Sequence, residues 1–163
     1  MFSIRHAEPA DVPTILELIH DLAAYEREPN AVVAREADLL RDGFGERPLF
    51  HCLIAEVDGV SAGFAFYFFN YSTWRGRPGI HLEDLFVRPS FRGKGIGKAL
   101  LARVGAAAVE HGCARLQWDV LDWNQTAIDF YRSLGATFLT EWRIMRVTDE
   151  ALTALATGEP IAL

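Results

Sequence analysis

The chain has 163 residues, of which 50% are apolar, and a formal net charge of −6. This length predicts a single domain that spans residues 1–163. No basic stripe of the kind that binds nucleic acid is present, and no stretch approaches the roughly 20 apolar residues of a membrane span. The N-terminus lacks the basic and hydrophobic segments of a signal peptide, and Cys52 and Cys113 are far apart in the sequence. We therefore expect a cytoplasmic protein with reduced thiols, no metal site, and neither a nucleic-acid nor a membrane partner.

The first half of the chain alternates between strand-like and helix-like apolar periodicities. The predicted elements are a strand at 2–6, helices at 12–25 and about 34–42, and strands at 50–57 and 61–70. Asp11 is a good N-cap for the first helix. Asp58 and Gly59, between the last two strands, are a strong hairpin signal.

The second half continues the alternation after a loop at 74–79. The predicted elements are a strand at 81–88, a helix at 98–111, a strand at 115–121, a helix at 125–134, one or two strands within 137–147, and a weak helix at 149–156. This order predicts an α/β (α+β) fold with a mixed, mostly antiparallel sheet and helices on both faces.

Three glycines join the strand at 81–88 to the following helix, in the run Arg92-Gly93-Lys94-Gly95-Ile96-Gly97. Such a loop can turn backbone N–H groups toward one point, with the positive end of a helix behind them, and that arrangement binds phosphate oxygens. The spacing excludes a Walker loop, because Arg92 stands where its first glycine belongs and Ala99 follows Lys98. It also excludes the dinucleotide fingerprint, whose third glycine would fall on Lys98 or Leu100. The remaining alternative is a glycine-rich turn that binds nothing.

The pattern Arg-x-x-Gly-x-Gly does resemble the acetyl-coenzyme A loop of the GNAT superfamily of N-acetyltransferases, and the element order resembles that fold over essentially the whole chain. The resemblance implies a GNAT acyl-CoA N-acyltransferase fold in which the strands before and after the loop and its helix splay apart to admit the cofactor's pantetheine. It implies acetyl-CoA as the cosubstrate. The residues expected to contact it are Leu85, Phe86, Val87, Arg92, Gly93, Lys94, Gly95, Ile96, Gly97, Lys98, Asn124 and Tyr131.

The segment at 127–136 resembles the family's Phe-Tyr-containing helix, in which the tyrosine hydroxyl reaches the sulfur of the coenzyme. Tyr131 is therefore the candidate general acid; the alternative is a tyrosine packed in the core. Asn124 resembles the asparagine that caps this helix and contacts the cofactor, and a plain N-cap is an equally good account of it.

Glu83 and Asp84 lie one strand-length before the glycine loop. Strict alternation along a strand places them on opposite faces, so we expect them to have different roles. Glu83 is the candidate base that accepts the proton of the substrate amine, through water. The alternative is a pair of solvent-facing or arginine-paired carboxylates. His81 is nearby and is expected to be structural.

Short segments spread along the chain resemble the diamine acetyltransferase branch of the family, typified by spermidine/spermine acetyltransferase. They lie at 24–26, 42–45, 51–53, 71–74, 82–84 and 120–125. By that resemblance Glu26 and Glu83 line an amine channel and Trp74 and Trp142 form its walls; an indole face attracts an ammonium group. The substrate-binding residues expected are Glu26, Ser72, Thr73, Trp74, Glu83, Asp84 and Trp142.

Ser72 and Thr73 occupy the place where the polyamine enzyme carries an aspartate. Loss of that carboxylate weakens the binding of a polycation more than that of a single ammonium, and it resembles the type that prefers thialysine and related amino acids. A small amino acid with a side-chain amine is therefore ranked first and spermidine or a diamine second. A homodimer is implied by the same resemblance. The competing functions are a non-catalytic, acetyl-CoA-binding regulatory module and an acetyltransferase of protein lysines or N-termini.

Overall fold

The computed structural model describes residues 1–158, which form two compact units divided after Asp119. The first unit, residues 1–119, contains β1 Phe2–His6, α1 Val12–Tyr25, α2 Glu36–Phe44, β2 His51–Val57, β3 Val60–Ser72, β4 Arg77–Val87, α3 Ile96–Glu110 and β5 Leu116–Gln117. The second unit begins at Val120 and contains α4 Gln125–Ser133 and α5 Asp149–Thr157. No helix among residues 1–158 combines the length and the apolar character that crossing a membrane requires.

The five strands form one sheet in the order β1-β2-β3-β4-β5. The first three pairs are antiparallel, whereas β4 and β5 are parallel and are paired only at Ile80↔Leu116 and His81↔Gln117. The sheet is thus mixed and mostly antiparallel, as predicted. The predicted hairpin between β2 and β3 is also confirmed, with positive φ at both Asp58 (51°) and Gly59 (79°), as a tight turn of the I′ type requires.

Helices cover both faces of the sheet. The core against α1 and α2 is built from residues of those helices and from every second position of the central strands. Its buried members are Val12, Ile15, Leu18, Leu22, Leu39, Phe50, Cys52, Ile54, Phe64 and Phe86. The intervening positions, among them Leu53, Ala65 and Tyr67, are also buried, and the side chains there face the side on which α3 packs. Burial on both faces explains why β3 is almost continuously apolar.

Three predicted elements differ most from the structure. Strand β4 begins at Arg77, inside the predicted loop at 74–79, because Pro78 and Gly79 continue the pairing with β3. Strand β5 has two residues instead of the seven predicted at 115–121. The prediction of one or two strands within 137–147 is wrong: this segment contains no strand. Apolar alternation gives a strand only where a neighbour supplies the hydrogen bonds, and here Trp142 and Met145 are 69% and 91% exposed.

The backbones of β3 and β4 approach one another closely at Gly63. It lies opposite Val87, and a Cβ there would collide with the carbonyl oxygen of Phe86. Gly63→Ala should therefore lower the free energy of unfolding by about 1–3 kcal/mol in urea titrations, since backbone atoms cannot move aside cheaply. The control is Gly105→Ala within α3, where no atom lies within 4 Å of the added Cβ. It should stabilise by about 0.5–1 kcal/mol through helix propensity. Equal effects of the two changes would contradict this packing.

Candidate active site

The glycine run lies between the end of β4 and the start of α3. Gly93 and Gly95 have φ of 75° and 81°, a conformation that side-chain-bearing residues rarely adopt. Gly95 is the N-cap of α3, and the helix begins at Ile96, two residues before the predicted start. Ile96 is buried and anchors this turn in the core. The first turn of α3 has neither a side-chain cap nor an acidic residue, so its N–H groups and positive dipole end are available to an anion.

Arg92 is held at the entrance to this loop. Its Nε donates a hydrogen bond of 2.8 Å to the carbonyl oxygen of Val87, and its Cζ lies 4.3 Å from the centroid of the Tyr25 ring. Arg5 and Arg88 each pair with two carboxylates. By contrast, no carboxylate in the described part of the chain lies within ion-pair distance of Arg92. Its charge is thus left for a ligand.

Beyond His81, the outer edge of β4 has no neighbouring strand among residues 1–158, because β5 ends its pairing there. The inner edge is used by β3 as far as Val87. The backbone of Leu85, Phe86 and Val87 therefore presents an open edge, and a short 3-10 helix at Pro89–Phe91 connects it to the glycine loop. An extended chain that contains amide groups, such as a pantetheine arm, can form hydrogen bonds with such an edge.

A bulge in β4 determines where its carboxylates lie. Phe66 pairs with Asp84 and Tyr67 with Leu82, so Glu83 is the extra residue without a partner in β3. The prediction that Glu83 and Asp84 point to strictly opposite faces is therefore wrong, because the extra residue interrupts the alternation. His81 and Asp84 come onto the same face of the sheet. The Nε2 atom of His81 lies 3.6 Å from Oε2 of Glu83, a pair that is ionic only when the imidazole is protonated.

Asp84 is a partly buried carboxyl in an acidic environment. Burial, with the negative charges of Glu83 and Glu26 added to it, raises its pKa to about 7. Burial also raises the pKa of Glu26, which directly follows α1. Glu26 and Glu83 thus both lie within electrostatic reach of Asp84, and the role of the three carboxyls in binding a substrate stays a prediction. A cation entering this cluster would relieve the repulsion among the carboxylates and stabilise their ionised forms.

The turn after β3 carries the residues predicted to contact the amine. Ser72 is buried and its Oγ accepts a hydrogen bond of 3.3 Å from the backbone N–H of Arg75. Trp74, in contrast, is 90% exposed. The serine therefore shapes the turn, and the contacts of Ser72, Thr73 and Trp74 with a substrate stay predictions.

The remaining candidates belong to the second unit. Asn124 caps α4, where its Oδ1 accepts a hydrogen bond of 3.3 Å from the N–H of Ala127, so the N-cap interpretation holds whatever else it contacts. Tyr131 lies on α4 with its ring centroid 5.3 Å from that of Phe130. Trp142 lies in the segment without strands. The acid role of Tyr131 and the wall role of Trp142 stay predictions.

The described residues contain no group of three or more His, Cys, Asp or Glu side chains that could hold a metal ion. Cys52 and Cys113 are both free thiols, as expected, and burial raises the pKa of each. Neither thiol is poised to act as a nucleophile at neutral pH.

Comparison of the sequence with known proteins identifies the family. Residues 15–136 match the acetyltransferase (GNAT) family. The chain belongs to that family. It is an N-acetyltransferase with the GNAT fold, and the glycine run and the open edge of β4 both lie within the matched range. Enzymes of the GNAT family generally use acetyl-CoA.

Similarity to individual members extends over nearly the full length. The chain is 43% identical to thialysine N-epsilon-acetyltransferase of Bos taurus, covering 94% of this chain and 96% of that protein. It is 34% identical to an L-ornithine N5-acetyltransferase of Arabidopsis thaliana, covering 95% and 88%. Among solved structures, an integron cassette protein from the mobile metagenome of V. cholerae superposes with a TM-score of 0.80 at 29% identity, covering 95% and 97%.

Two features of this GNAT site could not be predicted from strand periodicity. The bulge at Glu83 has no signal in a single sequence, because an extra residue looks like any other strand residue. The stacking of Arg92 on Tyr25 is the second. The only signal for it in the sequence is that Tyr25 directly precedes the candidate Glu26.

The pKa of Asp84 gives a prediction about stability. Its folded-state pKa of about 7 exceeds the ordinary value of 3.8. Between about pH 4 and pH 7 the folded protein therefore keeps a proton that the unfolded chain releases, so stability falls as the pH rises through this range. Asp84→Asn should raise the melting temperature at pH 8, where the buried charge is removed, and change it little at pH 4.5. Exposed Asp119 provides the control, Asp119→Asn. A wild-type protein that gains stability from pH 5 to pH 8 relative to Asp84→Asn would contradict the assignment.

Proposed function

We propose that this GNAT enzyme transfers the acetyl group of acetyl-CoA to the primary amine of a small cationic amino acid of the thialysine or lysine type. Polyamines and diamines are the second substrate class. The observation that carries the proposal is the position of β4. Its open edge leads to the glycine loop, and its bulge carries Glu83 and Asp84, with the charge of Glu26 within reach of Asp84.

The phosphate end of the cofactor fits the glycine loop. Two glycines in the left-handed region, an uncapped helix N-terminus and a guanidinium without a carboxylate partner suit a diphosphate. Lys94, within the glycine run, and Lys98, directly after it, add positive charge in this otherwise acidic protein. We assign the backbone of Leu85–Val87 to the amide groups of the pantetheine arm, as the resemblance implies.

The carboxylates bind the amine and take its proton. In water such an amine is almost entirely protonated, and only its neutral form attacks a carbonyl. Glu26 and Glu83 supply negative charge for the ammonium group. Asp84 has the pKa best suited to exchange a proton near neutral pH, so we assign the transfer to the Glu83–Asp84 pair, directly or through water, rather than to Glu83 alone.

Acetyl-CoA supplies a thioester whose carbon–sulfur bond breaks as the new carbon–nitrogen bond forms. We assign Tyr131 to protonate the departing sulfur, which leaves a phenolate. The attacking nitrogen loses two protons in all: one passes through the carboxylates to solvent, and the other restores the phenol through water, so one proton is released for each acetyl group transferred. No acyl-enzyme is required, because neither cysteine is activated.

The choice of amine is supported by Ser72 and Thr73, which add no further negative charge at the turn. The similar proteins whose names specify thialysine and ornithine point to single amino acids with a side-chain amine. The regulatory-module and protein-acetyltransferase alternatives receive no support from these relatives.

The organisation of the enzyme is also part of the proposal. We assign residues 1–163 to a single acetyltransferase domain, because the family match at 15–136 crosses the boundary between the two units. A homodimer in the cytoplasm, without nucleic-acid or membrane partners, agrees with the resemblance and with the acidic net charge of −6.

Acceptor specificity tests the proposal directly. Release of free CoA thiol should be measured with thialysine, lysine, ornithine, putrescine and spermidine as acceptors. The value of kcat/KM for the best amino acid should exceed that for spermidine by about tenfold or more. A preference for spermidine would overturn the substrate ranking but keep the enzyme class. Tight acetyl-CoA binding without thiol release for any amine would instead favour the regulatory module.

Tyr131→Phe tests the acid. Removing the hydroxyl should lower kcat by about 100-fold or more, in the range of general-acid contributions. The affinity for CoA, measured by calorimetry, should change less than about twofold because the ring is retained. Equal losses in kcat and in CoA affinity would show that Tyr131 binds the cofactor rather than donating a proton.

A further inference from the structure

The end of α1 contacts the cofactor loop through an aromatic ring. Tyr25 is the last residue of α1 and is half-buried. Its ring packs against Phe86 of β4, with centroids 6.2 Å apart. The guanidinium of Arg92 lies over the same ring, with its Cζ 4.3 Å from the Tyr25 centroid and 5.8 Å from the centroid of Phe86.

These contacts fix the orientation of Arg92. The hydrogen bond from its Nε to the carbonyl oxygen of Val87, at 2.8 Å, secures one edge of the guanidinium, and the Tyr25 ring covers one face. The Nη atoms remain to donate to an anion. An arginine side chain has many rotamers, so one that is already stacked loses less freedom when it binds a phosphate. The aromatic face also stabilises the cation without neutralising it, as a carboxylate would.

We propose that Tyr25 is a positioning residue for cofactor binding: its ring holds Arg92 in the orientation in which the guanidinium meets the diphosphate. This inference rests on the proposed function, because it takes the glycine loop to be the diphosphate site. It adds a residue from α1, outside the loop, to the parts that determine CoA affinity.

The same ring connects the two halves of the active site. Glu26 follows Tyr25 directly and belongs to the acidic cluster around Asp84. Arg27, the next residue, has a φ of 68° and ends the helix. At the end of one helix, Tyr25 therefore contacts the phosphate end of the site, and the next residue, Glu26, belongs to its amine end.

The test is the affinity for CoA, measured by calorimetry on the full chain. Tyr25→Leu should raise the Kd about three- to fivefold, the range of a partly exposed cation–π contact. Tyr25→Phe retains the aromatic face and should restore the wild-type Kd. The matched control is Phe44→Leu, in the same unit. The Phe44 ring packs on Phe50 and not on the glycine loop, so the Kd of this variant for CoA should equal that of the wild type.

A double-mutant cycle separates positioning from a general loss of structure. In the Arg92→Met background, Tyr25→Leu should have no further effect, because the ring acts only through the guanidinium. The same three- to fivefold loss in both backgrounds would overturn the proposal. If Tyr25→Leu does not fold, Arg92→Lys replaces it: it keeps the charge but lacks the planar group, and a wild-type Kd for that variant would overturn the proposal.

The outcomes for this inference and for the proposed function are distinguishable. A Tyr25→Leu variant that binds CoA like the wild type, in an enzyme that acetylates amines, rejects the role of Tyr25 alone. Weaker CoA binding by Tyr25→Leu, in a protein that acetylates no amine, supports the role of Tyr25 and rejects the proposed reaction. A wild-type protein that does not bind CoA rejects both.

Discussion

The active site depends on the hydrogen bonding of a single strand. Along its first residues β4 is paired on both sides, but beyond His81 it is bonded to β3 alone. At that point the strand also carries an extra residue, Glu83. One edge of the backbone becomes available to a ligand where the carboxylates of residues 83 and 84 leave the regular alternation. A longer β5, paired along the whole of β4, would close that edge.

Electrostatics divides this small region into two parts of opposite sign. Burial, together with the negative charges of Glu83 and Glu26, raises the pKa of Asp84 to about 7, so that it holds its proton up to near neutral pH. At the other end, Arg92 stands without a carboxylate at the start of an uncapped helix. Each part is unfavourable by itself, because like charges are gathered and only partly solvated. A cationic amine and an anionic cofactor would relieve both, which gives the site affinity for both substrates of the proposed reaction.

The sequence predicted the parts of the site that rest on local rules. Glycines at 93 and 95 are needed for positive φ, and a loop of that spacing before an apolar helix indicates a phosphate site. The extents of β1 and α1 and the hairpin at Asp58 and Gly59 follow equally local signals. The bulge in β4 and the shortness of β5 depend on which strands meet in the folded sheet, and periodicity does not contain that information. The expected strands at 137–147 failed for the same reason: the pattern was present, but no pairing strand was.

The proposed reaction requires that the open edge of β4 and the glycine loop form one continuous cofactor site. Amide chemical shifts of uniformly ¹⁵N-labelled protein, followed during titration with CoA, test it most directly. If the site is continuous, the resonances of the amides of Leu85, Val87, Gly93 and Gly95 will shift together and saturate at one CoA concentration, while those of β1 will not shift. Saturating shifts confined to other parts of the chain, or no shifts at all, would contradict it.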